Sequence, residues 1–199
     1  MENNNKVKSF EDLSTEELIE ESLKRNEGEI AANGALLVNT GKRTGRSPNY
    51  RFIVEDSLTK DSVDWGAINR PITEQKFNAL WSKVSNFLST KDNFISHLHV
   101  GDHLDHYIPV KVTTQWAWQN LFGKQMFIRP KNYNPNNQDI WEVMSAAEYE
   151  CIPEEDGTNS DGVVIINFSQ KKVLLAGMTY AGELKKSMFA VQNFILPEK

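Results

Sequence analysis

Residues 34–56 read GALLVNTGKRTGRSPNYRFIVED: an apolar run, a basic loop carrying two glycines, and a segment in which aromatic and β-branched residues alternate with charge. Gly34 to Val38 is a short continuous apolar stretch bounded by turn residues, the pattern of a strand covered on both faces. Tyr50 to Glu55 alternates as a second strand should. The loop between them, Asn39 to Asn49, sets Lys42, Arg43 and Arg46 beside Gly41, Gly45, Thr40, Thr44 and Ser47. Glycine lets the backbone approach an anion, hydroxyls and amides hydrogen-bond it, and a guanidinium fork grips a carboxylate or phosphate through two bonds. The loop is not a nucleotide P-loop, which would need glycine at 36 and serine or threonine at 43; Leu36 and Arg43 stand there. On composition alone, an anion cradle and a solvated basic turn fit it equally.

Around this unit the chain supplies helices and further strands. Ser14 with Glu17 makes a capping box, and Leu13, Leu18, Ile19 and Leu23 give a helical apolar face through about Arg25, with Gly28 as its terminator. A second helix from about Thr73 to Leu88 has Phe77, Leu80, Trp81, Val84, Phe87 and Leu88 as its inner stripe. Strands are expected at 93–100 and 108–113, on either side of the loop GDHLDHY, and at 139–146, with helical turns over 115–122. Segments 163–168 and 172–178 read as a hairpin joined at 169–171, and Ala181 opens a last helix running to about Leu196. Strands and helices mixed without strict alternation give the class: α/β, a mixed β-sheet flanked by helices. The last helix finishes in ILPEK with no capping glycine, which reads as a chain cut at a domain boundary.

At 199 residues the chain suits a single domain with a sizeable core, and 39% apolar with 25% charged residues describes a packed globular protein. Net charge is −5, so a general attraction to nucleic acid is not expected. Neither a membrane-length apolar run nor an apolar signal region is present, and the expected location is cytoplasmic. The lone Cys151 excludes an internal disulfide and reads as a small buried filler or an idle surface residue rather than a nucleophile. The acidic pairs Glu16-Glu17 and Glu20-Glu21 and the run Glu154-Glu155-Asp156 read as solvated faces or loop tips.

Two further clusters could carry chemistry. In Thr179-Tyr180-Ala181-Gly182-Glu183-Leu184-Lys185-Lys186, a strand end meets a helix N-terminus, the place where α/β proteins hold ligands. Two lysines in a first turn oppose the helix dipole, and that opposition favours a neutral amine with a depressed pKa, fit for acid/base work or metal ligation. The bland alternative is that both reach into water. The four histidines, His97, His99, His103 and His106, fall within ten residues. A zinc or nickel site is sterically conceivable there, but the spacing matches no strong zinc signature, and a histidine-rich exposed strand and loop is the favoured reading.

Three segments in register carry a resemblance. GALLVNTGKRTGRSP, QWAWQNLFGKQMFIRP and TYAGELKKSMFAVQNFILP resemble, in order and over almost the whole chain, the N-terminal part of ATP-dependent phosphoenolpyruvate carboxykinases. The resemblance implies an N-terminal, substrate-side domain over residues 1–199, with the P-loop nucleotide-binding domain and remaining metal ligands absent. It implies that Arg46 grips the carboxylate of oxaloacetate or phosphoenolpyruvate and that Tyr180 stands at the carboxylate and carbon dioxide end of the site. It implies that Lys186 is a neutral ligand to manganese, and that Lys185 faces substrate or nucleotide phosphate. The whole enzyme would convert oxaloacetate and ATP to phosphoenolpyruvate, CO2 and ADP, using Mn2+ and Mg2+ with ATP. This chain alone would be inactive and would hold none of these cofactors tightly. The four histidines and Lys111, where relatives often carry arginine, depart from the pattern. The alternative from a different class is a stand-alone anion-binding or regulatory module without a kinase half.

Overall fold

A computed structural model describes residues 7–43 and 48–198, so Arg46 lies outside the described residues. The strands are β1 (Ser9–Glu11), β2 (Gly28–Ile30), β3 (Leu36–Val38), β4 (Arg51–Glu55), β5 (Arg70–Thr73), β6 (Asn93–Val100), β7 (Ile108–Thr114), β8 (Trp141–Ala146), β9 (Val163–Asn167) and β10 (Lys172–Ala176). The helices are α1 (Thr15–Lys24), α2 (Glu74–Ser89), α3 (Ala117–Met126), α4 (Pro153–Asp156) and α5 (Gly182–Ile195). Eight strands form one mixed sheet in the order β1-β6-β7-β8-β10-β9-β4-β5. The β9–β10 hairpin sits inside it, antiparallel within itself and parallel to β4 on one side and β8 on the other.

Alternation along that hairpin builds the core. Val164, Ile166, Val173 and Leu175 point to one face and meet Leu184, Met188 and Val191 of α5 and Trp118 of α3. Val163, Ile165, Leu174 and Ala176 point to the other and meet Phe77, Leu80, Val84 and Leu88 of α2. Because both faces are covered, these strands are apolar throughout instead of alternating. Helix α1 packs on α3 around Leu18, Phe94, Ala117 and Leu121. The capping box forms as expected: Glu17 N–H donates to Ser14 Oγ (3.1 Å) and Ser14 N–H to the Glu17 carboxylate (2.7 Å).

Several expectations are corrected. Residues 34–38 are not a strand covered on both faces: among the described residues β3 pairs only with β2, in a two-stranded ribbon. Leu36 and Val38 turn inward while Leu37 is 51% exposed. Helix α1 ends at Lys24 through Asn26 in the left-handed region (φ 55°), and Gly28 opens β2 instead. The segment before α2 holds the edge strand β5, whose Pro71 is tolerated because only one side of β5 is paired. Strand β1 is the opposite edge. In the acidic run, Asp156 is buried, accepting Lys83 Nζ (2.7 Å) and the backbone N–H of Ile152 (2.8 Å), whereas Glu154 and Glu155 are exposed. No helix among the described residues is long and apolar enough to cross a membrane.

Candidate functional site

Where β10 runs out, Gly177 turns with φ 62° and Met178, Thr179 and Tyr180 lead into α5. Three segments far apart in sequence fix this turn. Gln119 of α3, fully buried, donates Nε2 to the carbonyls of Met178 and Thr179 (3.0 Å each), while its Oε1 accepts from Ser145 Oγ (3.2 Å). Thr179 Oγ1 donates to the carbonyl of Thr40 (2.6 Å). Gly41, at φ 69°, packs so closely on Thr179 that a Cβ there would collide with the hydroxyl. The start of the basic loop is thereby tied to the residue preceding Tyr180.

The loop's charges are divided. Lys42 Nζ bonds Asp161 Oδ2 at 2.7 Å, and Arg43 pairs with Asp161 Oδ1, donates to the Gly177 carbonyl (3.1 Å) and lies 4.9 Å from the centre of the Tyr50 ring. Only 9% of the Arg43 side chain is exposed. The Lys42 hydrogen bond, with Arg43 beside it, holds the Asp161 carboxyl below its ordinary range. Lys42 and Arg43 therefore fasten the loop's base to the turn before β9.

At the helix start, Glu183 is buried and takes Lys186 Nζ on Oε1 at 2.9 Å. Its Oε2 is buried without a hydrogen bond and lies 3.8 Å from Arg51 Nε. Lys186 Nζ also sits 4.6 Å from the centre of the Tyr180 ring. Both neighbours attract positive charge, and Glu183 offsets the lysine pair at the positive end of the helix dipole. Tyr180 folds over Gly182, where a Cβ would come within 2.5 Å of the ring. Lys185 is exposed. Tyr180 and Lys186 are thus brought together, Lys185 stands apart in solvent, and Arg46 lies outside the described residues. Glu183 and Gln119 were not singled out in the sequence as site residues; burial of polar side chains is what marks them.

The histidines do not converge. His99 stacks on Tyr107 (4.2 Å between ring centres), burial lowering its pKa, and His103 stacks on His106 (4.6 Å). His97 instead meets Asp12, Glu11 and Tyr133. Cys151 is buried, a filler and not a surface residue: burial pushes its thiol up to about 12, far from a reactive thiolate.

A family model described as phosphoenolpyruvate carboxykinase matches residues 7–199. The chain is 43% identical over 191 residues to "Phosphoenolpyruvate carboxykinase (ATP) 1" of Moorella thermoacetica, covering 96% of this chain and 36% of that protein. It is 40% identical over 189 residues to the Bacillus subtilis protein named phosphoenolpyruvate carboxykinase (ATP), covering 94% and 36%. To the Bacillus pumilus protein of the same name it is 39% identical over 193 residues, covering 96% and 37%. The chain spans a little over a third of the length of the curated relatives it matches.

Proposed function

This chain belongs to the ATP-dependent phosphoenolpyruvate carboxykinase family, and on that premise we propose that residues 1–199 are the substrate-side, N-terminal domain of such an enzyme. The whole protein, acting in the cytoplasm, converts oxaloacetate and ATP to phosphoenolpyruvate, CO2 and ADP. The carrying observation is the Thr179–Thr40 hydrogen bond, which joins the base of the Arg46 loop to the segment bearing Tyr180 and Lys186. No GxxxxGK[ST] segment occurs in the 199 residues. Nucleotide binding then belongs to the part of the enzyme corresponding to the rest of the relatives' length, and this chain alone is inactive.

In this reading Arg46 clamps a carboxylate of the dianionic substrate with a two-pronged bond, fixing the C–C bond to be broken. The Tyr180 hydroxyl hydrogen-bonds the carboxylate that leaves as CO2. Lys186 stabilises the charge that develops on the enolate oxygen, and exposed Lys185 reaches toward phosphate. Breaking the C–C bond leaves its electron pair on the enolate, whose oxygen then attacks the γ-phosphorus of ATP as ADP departs. Lys186 Nζ would ligate a divalent metal ion only as the neutral amine, giving up its bond to Glu183, with further donors supplied from outside the described residues. When bound, Mn2+ or Mg2+ would supply positive charge against the negative charge that develops during the reaction.

The test is a coupled assay of ATP-dependent phosphoenolpyruvate formation on the protein from the complete natural reading frame. Activity there, its absence from the 199-residue chain, and a loss of about a hundredfold or more in Arg46→Ala are expected. Full activity in Arg46→Ala overturns the role given to that residue.

A further inference from the structure

Asp12 follows β1 in a bend with φ 51°, its N–H donating to the Ile95 carbonyl at 2.8 Å. This bend carries its carboxylate over β6. Oδ1 accepts the backbone N–H of His97 (2.8 Å), which leaves Oδ2 2.9 Å from His97 Nδ1. The preceding residue, Glu11, brings Oε1 to 3.7 Å from the same nitrogen. One imidazole nitrogen and two carboxylate oxygens therefore lie within 4.8 Å of one another, the one such trio of His, Cys, Asp or Glu donors among the described residues. Parallel pairing of β1 with β6 sets the spacing of Glu11 and His97, and Asp12 stands in the bend that follows β1.

We propose that Glu11, Asp12 and His97 bind one Zn2+ ion, at a site distinct from the Tyr180–Lys186 cluster. Strands β7 and β8 separate β6 from β10, which leads into that cluster. Imidazole with two carboxylates is a borderline nitrogen and oxygen donor set of the kind zinc takes, and three protein ligands leave a fourth position for water. Calcium and magnesium would need more oxygens than converge here. With neutral imidazole, two carboxylates balance the charge of the ion.

A second observation comes from Tyr133. Its ring packs on His97 (4.7 Å between centres) and it lines, with Asp12 and His97, an open cavity of about 480 Å³. Its hydroxyl is buried without a hydrogen-bond partner, a donor free to hold a zinc-bound water. Opposing charge limits the affinity. Lys124 Nζ is held by the carbonyls of Asp12 and Leu13, and Arg129 and Lys131 line the same cavity. The site is therefore weaker than structural zinc sites and exchangeable.

Zinc titration by calorimetry near neutral pH, on the chain freed of metal, tests this. One ion per chain is expected, weakened about tenfold or more in Glu11→Gln and in His97→Gln. The double variant His103→Gln/His106→Gln should leave it unchanged. Glu11 is 64% exposed at its side chain, so its replacement tests the site even if His97→Gln fails to fold. Absence of a one-to-one phase, its survival in Glu11→Gln, or its loss in the double variant overturns the proposal.

Discussion

Thr179 Oγ1 donates a 2.6 Å hydrogen bond to the carbonyl of Thr40, joining residues 139 positions apart in the chain. Among the described residues it is the one hydroxyl that spans the two motifs, and Gly41 closes on it without room for a side chain. Thr179→Val keeps the shape and removes the bond, leaving the Thr40 carbonyl without it. A neutral hydrogen bond of this kind is worth about 0.5–1.5 kcal/mol. Denaturant unfolding should register that loss, and protease cleavage between residues 39 and 49 should accelerate. Unchanged stability and cleavage would mean that the loop is anchored by Lys42 and Arg43 alone.

Asp161 accepts both of those cations, so Asp161→Asn strands a guanidinium that is nine-tenths buried. Breaking a fully buried pair costs about 3–5 kcal/mol. Asp161 keeps 34% of its side chain exposed and Arg43 retains the Gly177 carbonyl, so about 1–3 kcal/mol is the expected destabilisation. The pH dependence has a definite sign. A carboxyl held below its ordinary value of 3.8 contributes stability above that value and loses it as pH falls through the depressed native one. An acid titration of unfolding should therefore lose this component in Asp161→Asn, whose deficit against the parent narrows below about pH 3.8. A constant deficit at all pH would assign the effect to packing.

Gln119 makes a different kind of prediction, because its amide serves two carbonyls at once inside the core. Gln119→Leu is near it in size but leaves those carbonyls and Ser145 Oγ unsatisfied, at about 1–3 kcal/mol. By comparison Leu174→Ala on β10, a plain cavity, should cost about 2–5 kcal/mol. Thermal unfolding beside steady-state turnover separates the two effects: in the completed enzyme Gln119→Leu should also displace Tyr180 and depress turnover, whereas Leu174→Ala should lower stability alone.

What the sequence made legible follows from where each signal is stored. The capping box of α1, the apolar stripe of α2 and the β9–β10 hairpin carry their instructions locally, and all three formed as read. Edge strands β1 and β5 are three and four residues long with one neighbour each, too little buried surface for an alternating pattern. The apolar run at Gly34 misled because a two-stranded ribbon needs only Leu36 and Val38 inward. Contacts across long separations were invisible: Glu27 accepting the N–H groups of Ala117 (3.2 Å) and Trp118 (3.0 Å) to cap α3, and Asp161 gathering Lys42 and Arg43. Tyr180 and Lys186 were legible as a strand end meeting a helix start, but the acid that holds Lys186 was read only as part of a motif.

That acid, Glu183, gives the sharpest separation of stability from activity. Its side chain is 3% exposed with one oxygen unbonded, a desolvation cost that Lys186, 27% exposed at its side chain, only partly offsets. Glu183→Gln keeps the volume and an acceptor for Lys186 while removing the buried charge. Stability should change by less than about 1 kcal/mol in either direction, since relief of desolvation and loss of attraction nearly cancel. Turnover in the completed enzyme should nevertheless fall about tenfold or more, because the lysine loses the charge that orients it toward Tyr180. Steady-state kinetics beside denaturant unfolding reads both quantities. Full turnover in Glu183→Gln would assign Glu183 a purely architectural place in the first turn of α5, and a large stability loss would make its pairing with Lys186 and Arg51 part of what holds the fold.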